Sequence, residues 1–204
     1  MKRTEQEDFW HGAFGDDYIE RNKGKSLLAS NISFFAKVLS NSQDIDSVFE
    51  FGCNIGMNLK AIKALLPMTK LSGVEINKSA VNDLRKNNEI EVIEDSILDL
   101  EIDTKFDLTL IKTVLIHINP DRLDEVYSRL YEYSNKYICI AEYYNPFPVN
   151  VQYRGHENRL FKRDFAGEFM KKYPDVKLVD YGFVYHLDPN FPQDDISWFL
   201  MKKC

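Results

Sequence analysis

The run from Ser47 to Met57, SVFEFGCNIGM, sets a carboxylate and two glycines where an apolar strand passes into an amphipathic segment. Gly52 and Gly56 allow a tight turn near a ligand, and Asn54 stands where the usual nucleotide-binding pattern has a glycine. Asparagine tolerates positive φ, so that departure is physically mild. Glu75 follows about 20 residues beyond the turn, at the place where a carboxylate accepts hydrogen bonds from a ribose diol. Glu50, at the mouth of the turn, decides the ligand class. A carboxylate there repels a pyrophosphate and attracts a cationic or amine-bearing ligand without phosphate.

Other polar residues fall at the ends of further predicted strands. Asp95 and Ser96 follow the third strand, where a carboxylate and a hydroxyl suit an adenine amino group and ring nitrogen. His117 follows the fourth strand and has a side chain that titrates near neutral pH, suiting it to take a proton from an acceptor. Tyr143 and His156 are further candidates for a general base. The segment from Glu142 to Asp164 is locally basic in an acidic chain, with Tyr144, Arg154, His156, Arg159, Lys162 and Arg163. An anionic acceptor bearing a carboxylate or phosphate suits that cluster. His186, in the last loop from His186 to Asp195, is a second-rank acceptor residue together with Asp188, Asp194 and Asp195.

Alternating elements must position these residues. A helix is predicted over Ser26 to Leu39, from the apolar spacing of Leu27, Leu28, Ile32, Phe35, Val38 and Leu39. Strands follow at Ser47 to Phe51, Lys70 to Ile76, Glu91 to Ile93, Phe106 to Ile111 and Tyr137 to Ala141, with closing strands at Lys177 to Tyr185 and Ile196 to Met201. Helices between them are marked by Leu59, Ile62 and Leu65 before Pro67, by Val81 and Leu84, by Leu123 to Tyr131, and by Phe165 to Met170. This order implies a mostly parallel α/β sheet wrapped on both faces, with the ligand beyond the carboxyl ends of the strands.

With 204 residues, 44% of them hydrophobic, the chain reads as one domain. A net charge of −6 argues against a nucleic-acid partner. No apolar run reaches membrane-spanning length and the opening MKRTEQEDF is too polar for a signal peptide, so a cytoplasmic protein without a membrane partner is expected. Cys53, Cys139 and Cys204 are scattered, which predicts reduced thiols. The four histidines lack metal-binding spacing, so no metal is expected.

These positions resemble the class I S-adenosylmethionine-dependent methyltransferases. Nearly the whole chain, moreover, resembles the methylases associated with pseudaminic acid biosynthesis. The likeness rests on TEQEDFWHGAFGDDYIERN, EFGCNIGMNLKAIKALLP, LIHINPDRL, AEYYNPFPV with YRGHENRLFKRDFAG, and VDYGFVYHLDPNFPQDDISWFL. It implies a Rossmann-like fold: a mostly parallel seven-stranded sheet with an antiparallel last strand, forming a single domain over 1–204. A helical cap over 1–45 would sit on a core over 46–204, with an acceptor loop over 142–164. S-adenosylmethionine is the implied cofactor. Glu50, Gly52 and Asn54 would surround its methionine part, Glu75 its ribose, and Asp95 and Ser96 its adenine, with Lys112 and Thr113 beside the methionine part and Gly56 and Ile76 also among the cofactor-binding residues. Trp10, Phe14, Tyr18 and Arg21 would fold over it, Arg21 pairing with its carboxylate. The acceptor would be a sugar acid or nucleotide sugar, methylated on oxygen or nitrogen. Two other functions share part of this logic: a nicotinamide-dependent oxidoreductase, disfavoured by Glu50 and the incomplete GxGxxG, and a non-catalytic cofactor-binding protein of a sugar pathway. A carboxylate or amine from outside sugar metabolism is a further acceptor class.

Overall fold

Seven strands form one sheet in a computed structural model that describes residues 3–86 and 88–204, with Arg21 described in its main chain only. Two short helices, α1 (Glu5–His11) and α2 (Ala13–Arg21), and the longer α3 (Lys25–Val38) precede the first strand. The remaining order is β1 (Ser47–Phe51), α4 (Met57–Leu65), β2 (Lys70–Glu75), α5 (Lys78–Leu84), β3 (Ile90–Glu94), β4 (Phe106–Lys112), α6 (Leu123–Glu132) and β5 (Ser134–Glu142). Then come β6 (Val149–Tyr153), β7 (His156–Lys162), α7 (Phe165–Lys172), β8 (Val176–Val184) and β9 (Ile196–Lys203).

The sheet order is β3-β2-β1-β4-β5-β9-β8. The first five of these strands run parallel, and β9 is antiparallel to both β5 and β8. This is the Rossmann-like methyltransferase arrangement that the resemblance implies. The chain winds outward one way through β1, β2 and β3, then the other way through β4 and β5, so the switch point lies between β1 and β4.

Two apolar layers sandwich the sheet. On one face Phe49, Phe51, Ile111, Ile138 and Ile140 pack with Leu123, Val126 and Leu130 of α6 and Phe165 and Phe169 of α7. On the other, Val48, Leu108, Leu110, Cys139 and Leu200 pack with Phe34, Phe35 and Val38 of α3 and Leu59 and Ile62 of α4. The two-residue period of a strand then dictates where the strand-end polar residues go. Glu50 shares the Val48 face toward α4, Lys112 shares the Leu110 face toward α3, and Glu142 shares the Ile140 face.

Cap chemistry fixes the helix starts. Thr4 and Glu7 form a reciprocal capping box on α1. Asn77 accepts from Ala80 N at 2.9 Å to start α5, and Asp164 accepts from Gly167 N at 2.9 Å to start α7. The segment from 142 to 164 departs from the expected connection: its centre is a two-stranded antiparallel hairpin, β6 with β7. A two-residue turn joins them, with Arg154 at φ 50° and Gly155 at φ 86°. Arginine at the first turn position, where asparagine or glycine is usual, removes the sequence signal for such a hairpin. Among the described residues no helix is long and apolar enough to cross a membrane.

Candidate functional site

A cavity of about 540 Å³ opens at the carboxyl ends of β1, β2 and β4. That volume lies within the usual range for small-molecule sites. The turn after β1 forms its wall. Gly52 adopts φ 74°, and a Cβ there would stand 2.7 Å from a methyl of Val114, so only glycine lets the β1 turn approach the β4 turn this closely. Asn54 (φ 47°) and Gly56 (φ 72°) complete the left-handed geometry that aims the chain into α4. Gly52, Asn54, Glu75, Ile76, Ser96, Lys112, Thr113, His117, Trp10, Tyr18, Arg154 and His186 all line the cavity, so twelve widely separated sequence candidates meet in one place.

The carboxylates are arranged in depth. Glu75 accepts from Asn54 N at 2.7 Å and from Asn77 N at 2.8 Å, an arrangement that ties the β1 turn to the β2 end. Its pKa is raised because burial outweighs these bonds. Glu50 does not stand at the mouth of the turn as the sequence suggests. It is 1% exposed and lies behind the wall, because strand alternation turns it toward α4, where one oxygen accepts from Asn58 Nδ2 at 2.6 Å. Its other oxygen has no partner. Burial pushes its pKa up to about 8, against the opposing pull of Asn58 and the Lys112 ammonium. Lys112 is held in a field of acids, Glu50, Asp194 and Glu142, while burial lowers its pKa. Its ammonium sits 5.6 Å from the centre of the Phe34 ring.

The N-terminal helices cover the opening. Trp10 meets Tyr18 edge-on at 5.2 Å and the His117 ring at 4.6 Å. Tyr18 is half-buried, and the desolvation of its phenol raises its pKa to about 12. The latch is Glu7, whose carboxylate accepts the Ser96 hydroxyl proton while the Ser96 oxygen accepts from Leu98 N at 3.0 Å. Ser96 is therefore committed to holding α1. Its neighbour Asp95 lies outside the cavity wall, where its carboxylate accepts from Ser96 N at 2.7 Å. The expected carboxylate pairing of Arg21 lies outside the described residues.

The base candidates separate. His117 is 8% exposed, and its Nδ1 lies 2.5 Å from the Arg159 carbonyl oxygen. A carbonyl only accepts, so Nδ1 carries the proton and Nε2 keeps its lone pair. Burial lowers the His117 pKa to about 4, and the ring is neutral at pH 7. Tyr143 is a correction to the sequence reading: it does not line the cavity, and burial together with the Asp194 carboxylate raises its pKa, so the phenol keeps its proton. His156 is a second correction. It is exposed, packed against Phe9 at 5.1 Å rather than toward the cavity.

The basic cluster also divides. Arg154, at the hairpin tip, lines the cavity with its guanidinium 5.6 Å from the Tyr153 ring. Arg159 lies outside the cavity wall instead, its side chain largely buried, paired with Glu5 and placed 5.1 Å over the Phe9 ring. Lys162 lies 5.1 Å over the Tyr143 ring, and Tyr144 is exposed near Phe199, both outside the wall. His186 reaches the cavity rim paired with Asp195 at 2.8 Å.

Several lining residues have no counterpart in the sequence reading. Glu7 was legible, since Thr4-x-x-Glu7 is a capping-box pattern that predicts α1. Asn58, Asn31 and Gln193 carry no local signal; the last two are buried and joined by a 3.0 Å bond across 162 positions. Among the described residues no group of three or more His, Cys, Asp or Glu is arranged to hold a metal, and all three cysteines are free. The residues present fit a polar adenosine ligand. Gln6 Oε1, Trp10 Nε1 and Asn54 Oδ1 belong to lining residues and are buried without partners, and the unpaired Glu50 oxygen lies just behind.

No curated protein matches the chain. Solved structures match it over nearly full length at low identity. Magnesium protoporphyrin IX methyltransferase from Synechocystis PCC 6803, with bound S-adenosylmethionine, aligns with TM-score 0.71, 11% identity and 100% coverage of both chains. The plantazolicin methyltransferase bound to S-adenosylhomocysteine aligns with TM-score 0.67 and 14% identity over 97% of this chain and 94% of that one. An amino pentose methyltransferase of calicheamicin biosynthesis, from Micromonospora echinaspora, gives 0.65 and 10% over 94% and 96%. The methyltransferase domain family matches residues 48–136. The match to the methyltransferase domain family spans 89 of the 204 residues, and the chain as a whole has the fold of these solved S-adenosylmethionine-dependent methyltransferases.

Proposed function

We propose that this methyltransferase moves the methyl group of S-adenosylmethionine onto an oxygen or nitrogen of a small anionic acceptor, a sugar acid or nucleotide sugar of the pseudaminic acid type. The observation that carries the reading is the sorting of charge around one cavity. Glu50 and Glu75 are gathered at the strand ends, and Arg154 is presented across the opening on a hairpin tip. The acidic end favours a cationic, phosphate-free adenosine ligand, and the guanidinium favours a carboxylate or phosphate on the second substrate. The solved structures of this fold name a porphyrin, a plantazolicin analogue and an amino pentose, so the fold leaves the acceptor open and the choice rests on Arg154 and the family resemblance.

In this reading Glu75 and Ile76 hold the ribose, the Asp95–Ser96 turn borders the adenine, and Gly52, Asn54, Lys112 and Thr113 surround the amino-acid end. Residues 1–45 act as a helical cap on the core over 46–204, with Trp10 and Tyr18 excluding water. When bound, the cofactor supplies a methyl carbon activated by its positively charged sulfur. The protein's own task is then alignment and dehydration. His117, neutral with Nε2 unprotonated, stands ready to take the acceptor's proton as the bond to carbon forms.

Calorimetric titration with S-adenosylhomocysteine and with NADH tests the cofactor, and binding of NADH alone overturns the reading. A mass-spectrometric screen of sugar acids and nucleotide sugars, seeking a gain of one methyl, tests the acceptor. Methylation confined to neutral compounds removes the anionic part of the proposal.

A further inference from the structure

Glu142, the last residue of β5, is 3% exposed, and nothing in the methyl-transfer reading above uses it. One of its oxygens accepts two backbone bonds, from Val114 N at 2.9 Å and from Leu115 N at 2.8 Å. These amides open the segment between β4 and α6. Thr113, just before them, is held at φ 56° and donates its hydroxyl proton to the Lys112 carbonyl at 2.8 Å. A single 3₁₀ turn follows at Leu115–His117, closed by His117 N to Val114 O at 2.8 Å. The end of β4 and this segment therefore carry six cavity-lining residues, Lys112, Thr113, Val114, His117, Ile118 and Asn119.

A free loop end does not hold a non-glycine residue in the left-handed region without compensation. Here the compensation comes from a neighbouring strand. The N–H groups of Val114 and Leu115 find no carbonyl in a regular ladder, and a single carboxylate oxygen satisfies both. Val114 is also the residue whose methyl groups press on the Gly52 turn. Moving this segment shifts the wall on the β1 side and the histidine on the other. The second oxygen of Glu142 has no partner and Lys112 is the cation that acts on it, so the same group also contributes to the field around the buried ammonium.

We propose that Glu142 is a positioning residue for the methyltransferase site: by accepting both amides it fixes residues 113–117, so that His117 keeps its Nδ1–H on the Arg159 carbonyl and offers Nε2 to the acceptor. This rests on the methyl-transfer reading for the use made of Nε2. The placement itself is tested independently of that reading.

The test uses the full chain as wild type, Glu142→Gln, which keeps an oxygen acceptor, and Glu142→Met, which fills the space without one. Long-range proton–nitrogen spectra of the imidazoles, with His117 assigned from His117→Asn, report tautomer and protonation. Calorimetry with S-adenosylhomocysteine reports the cavity. The wild type and Glu142→Gln should show the Nδ1–H tautomer, with His117 unprotonated down to about pH 5. In Glu142→Met the His117 signal should show mixed tautomers and protonate at higher pH, with S-adenosylhomocysteine affinity reduced about tenfold. If Glu142→Met does not fold, Glu142→Ala takes its place. A folded variant without the acceptor and with unchanged His117 signals overturns the proposal. So does Glu142→Gln behaving like Glu142→Met, since charge rather than hydrogen-bond acceptance would then hold the turn. If the wild type fails to bind S-adenosylhomocysteine the methyl-transfer reading falls, while the imidazole spectra still decide the role of Glu142.

Discussion

The two ends of the cavity are built by opposite means. At the proposed adenosine end, Gly52, Asn54, Glu75 and Ser96 sit at successive strand ends, and internal hydrogen bonds occupy both Glu75 oxygens and the Ser96 hydroxyl. At the proposed acceptor end, Arg154, His186, Gln193 and Asp194 come from a hairpin tip and a loop, and Gln193 meets Asn31 of α3 across a long stretch of chain. One end is dictated by the regular geometry of a parallel sheet. The other is assembled from contacts that no local pattern announces. Variation at the first should therefore damage binding and stability together, and variation at the second should change what is accepted while leaving the fold intact.

The largest expected effect tests the rigid end. Gly52→Ala forces a left-handed residue and a clash with Val114, each costing about 1–3 kcal/mol. Affinity for S-adenosylhomocysteine should fall by about 100-fold or more, measured by calorimetry, with a lower melting temperature. An alanine variant that binds normally would falsify the close-approach argument.

Next is Glu50→Gln, which should weaken S-adenosylmethionine binding by about tenfold, because it removes the carboxyl that ionises as the cationic ligand arrives while keeping an acceptor for Asn58. The pH behaviour carries the sharper signature. The Glu50 pKa is near 8 in the fold against 4.5 unperturbed, so the fold holds this proton more tightly than the unfolded chain does. Its contribution to stability is complete below about pH 4.5 and is lost as pH rises toward 8. The melting temperature of the wild type should fall over that interval more steeply than that of Glu50→Gln. A cationic ligand also favours the carboxylate, so binding of S-adenosylmethionine at pH 7 should release a proton. Titrations in buffers of different ionisation enthalpy would show it, and Glu50→Gln should abolish it.

Arg154→Ala addresses the other end. S-adenosylhomocysteine affinity should stay within about twofold of wild type, and the KM for a carboxylate-bearing acceptor should rise about tenfold. A loss confined to the cofactor would reverse the assignment of the two ends. The smallest effect is expected of Arg159→Ala, which breaks the pair with Glu5 and lowers stability only slightly, read from chemical denaturation, with binding unchanged.

The alternation of strands and helices and the glycine turn were legible in the sequence because each follows from a local pattern. The run VFEF buries both faces of β1, and Gly52 and Gly56 mark the left-handed positions. Glu50 was recognised by type but set at the wrong depth. Its direction depends on which face of β1 meets α4, and a parallel strand apolar on both faces does not reveal that. The basic segment misled for a related reason. Arg159 and Lys162 share the hairpin with Arg154, yet Arg159 pairs with Glu5 and Lys162 lies over Tyr143, and only the pairing of β6 with β7 decides which cation faces the cavity.

The position of β9 has a consequence for how the protein comes into being. It is the last strand in sequence but lies between β5 and β8, where it supplies the only ladder that β8 has in the sheet. As the chain leaves the ribosome, β5 keeps an open edge and β8 has nothing to pair with until residues 196–203 emerge. The loop from His186 to Asp195 gains its second anchor at the same moment. The part of the cavity wall that this loop supplies is therefore completed late, and a chain shortened before Ile196 would expose two unpaired strand edges of the kind that nucleate aggregation.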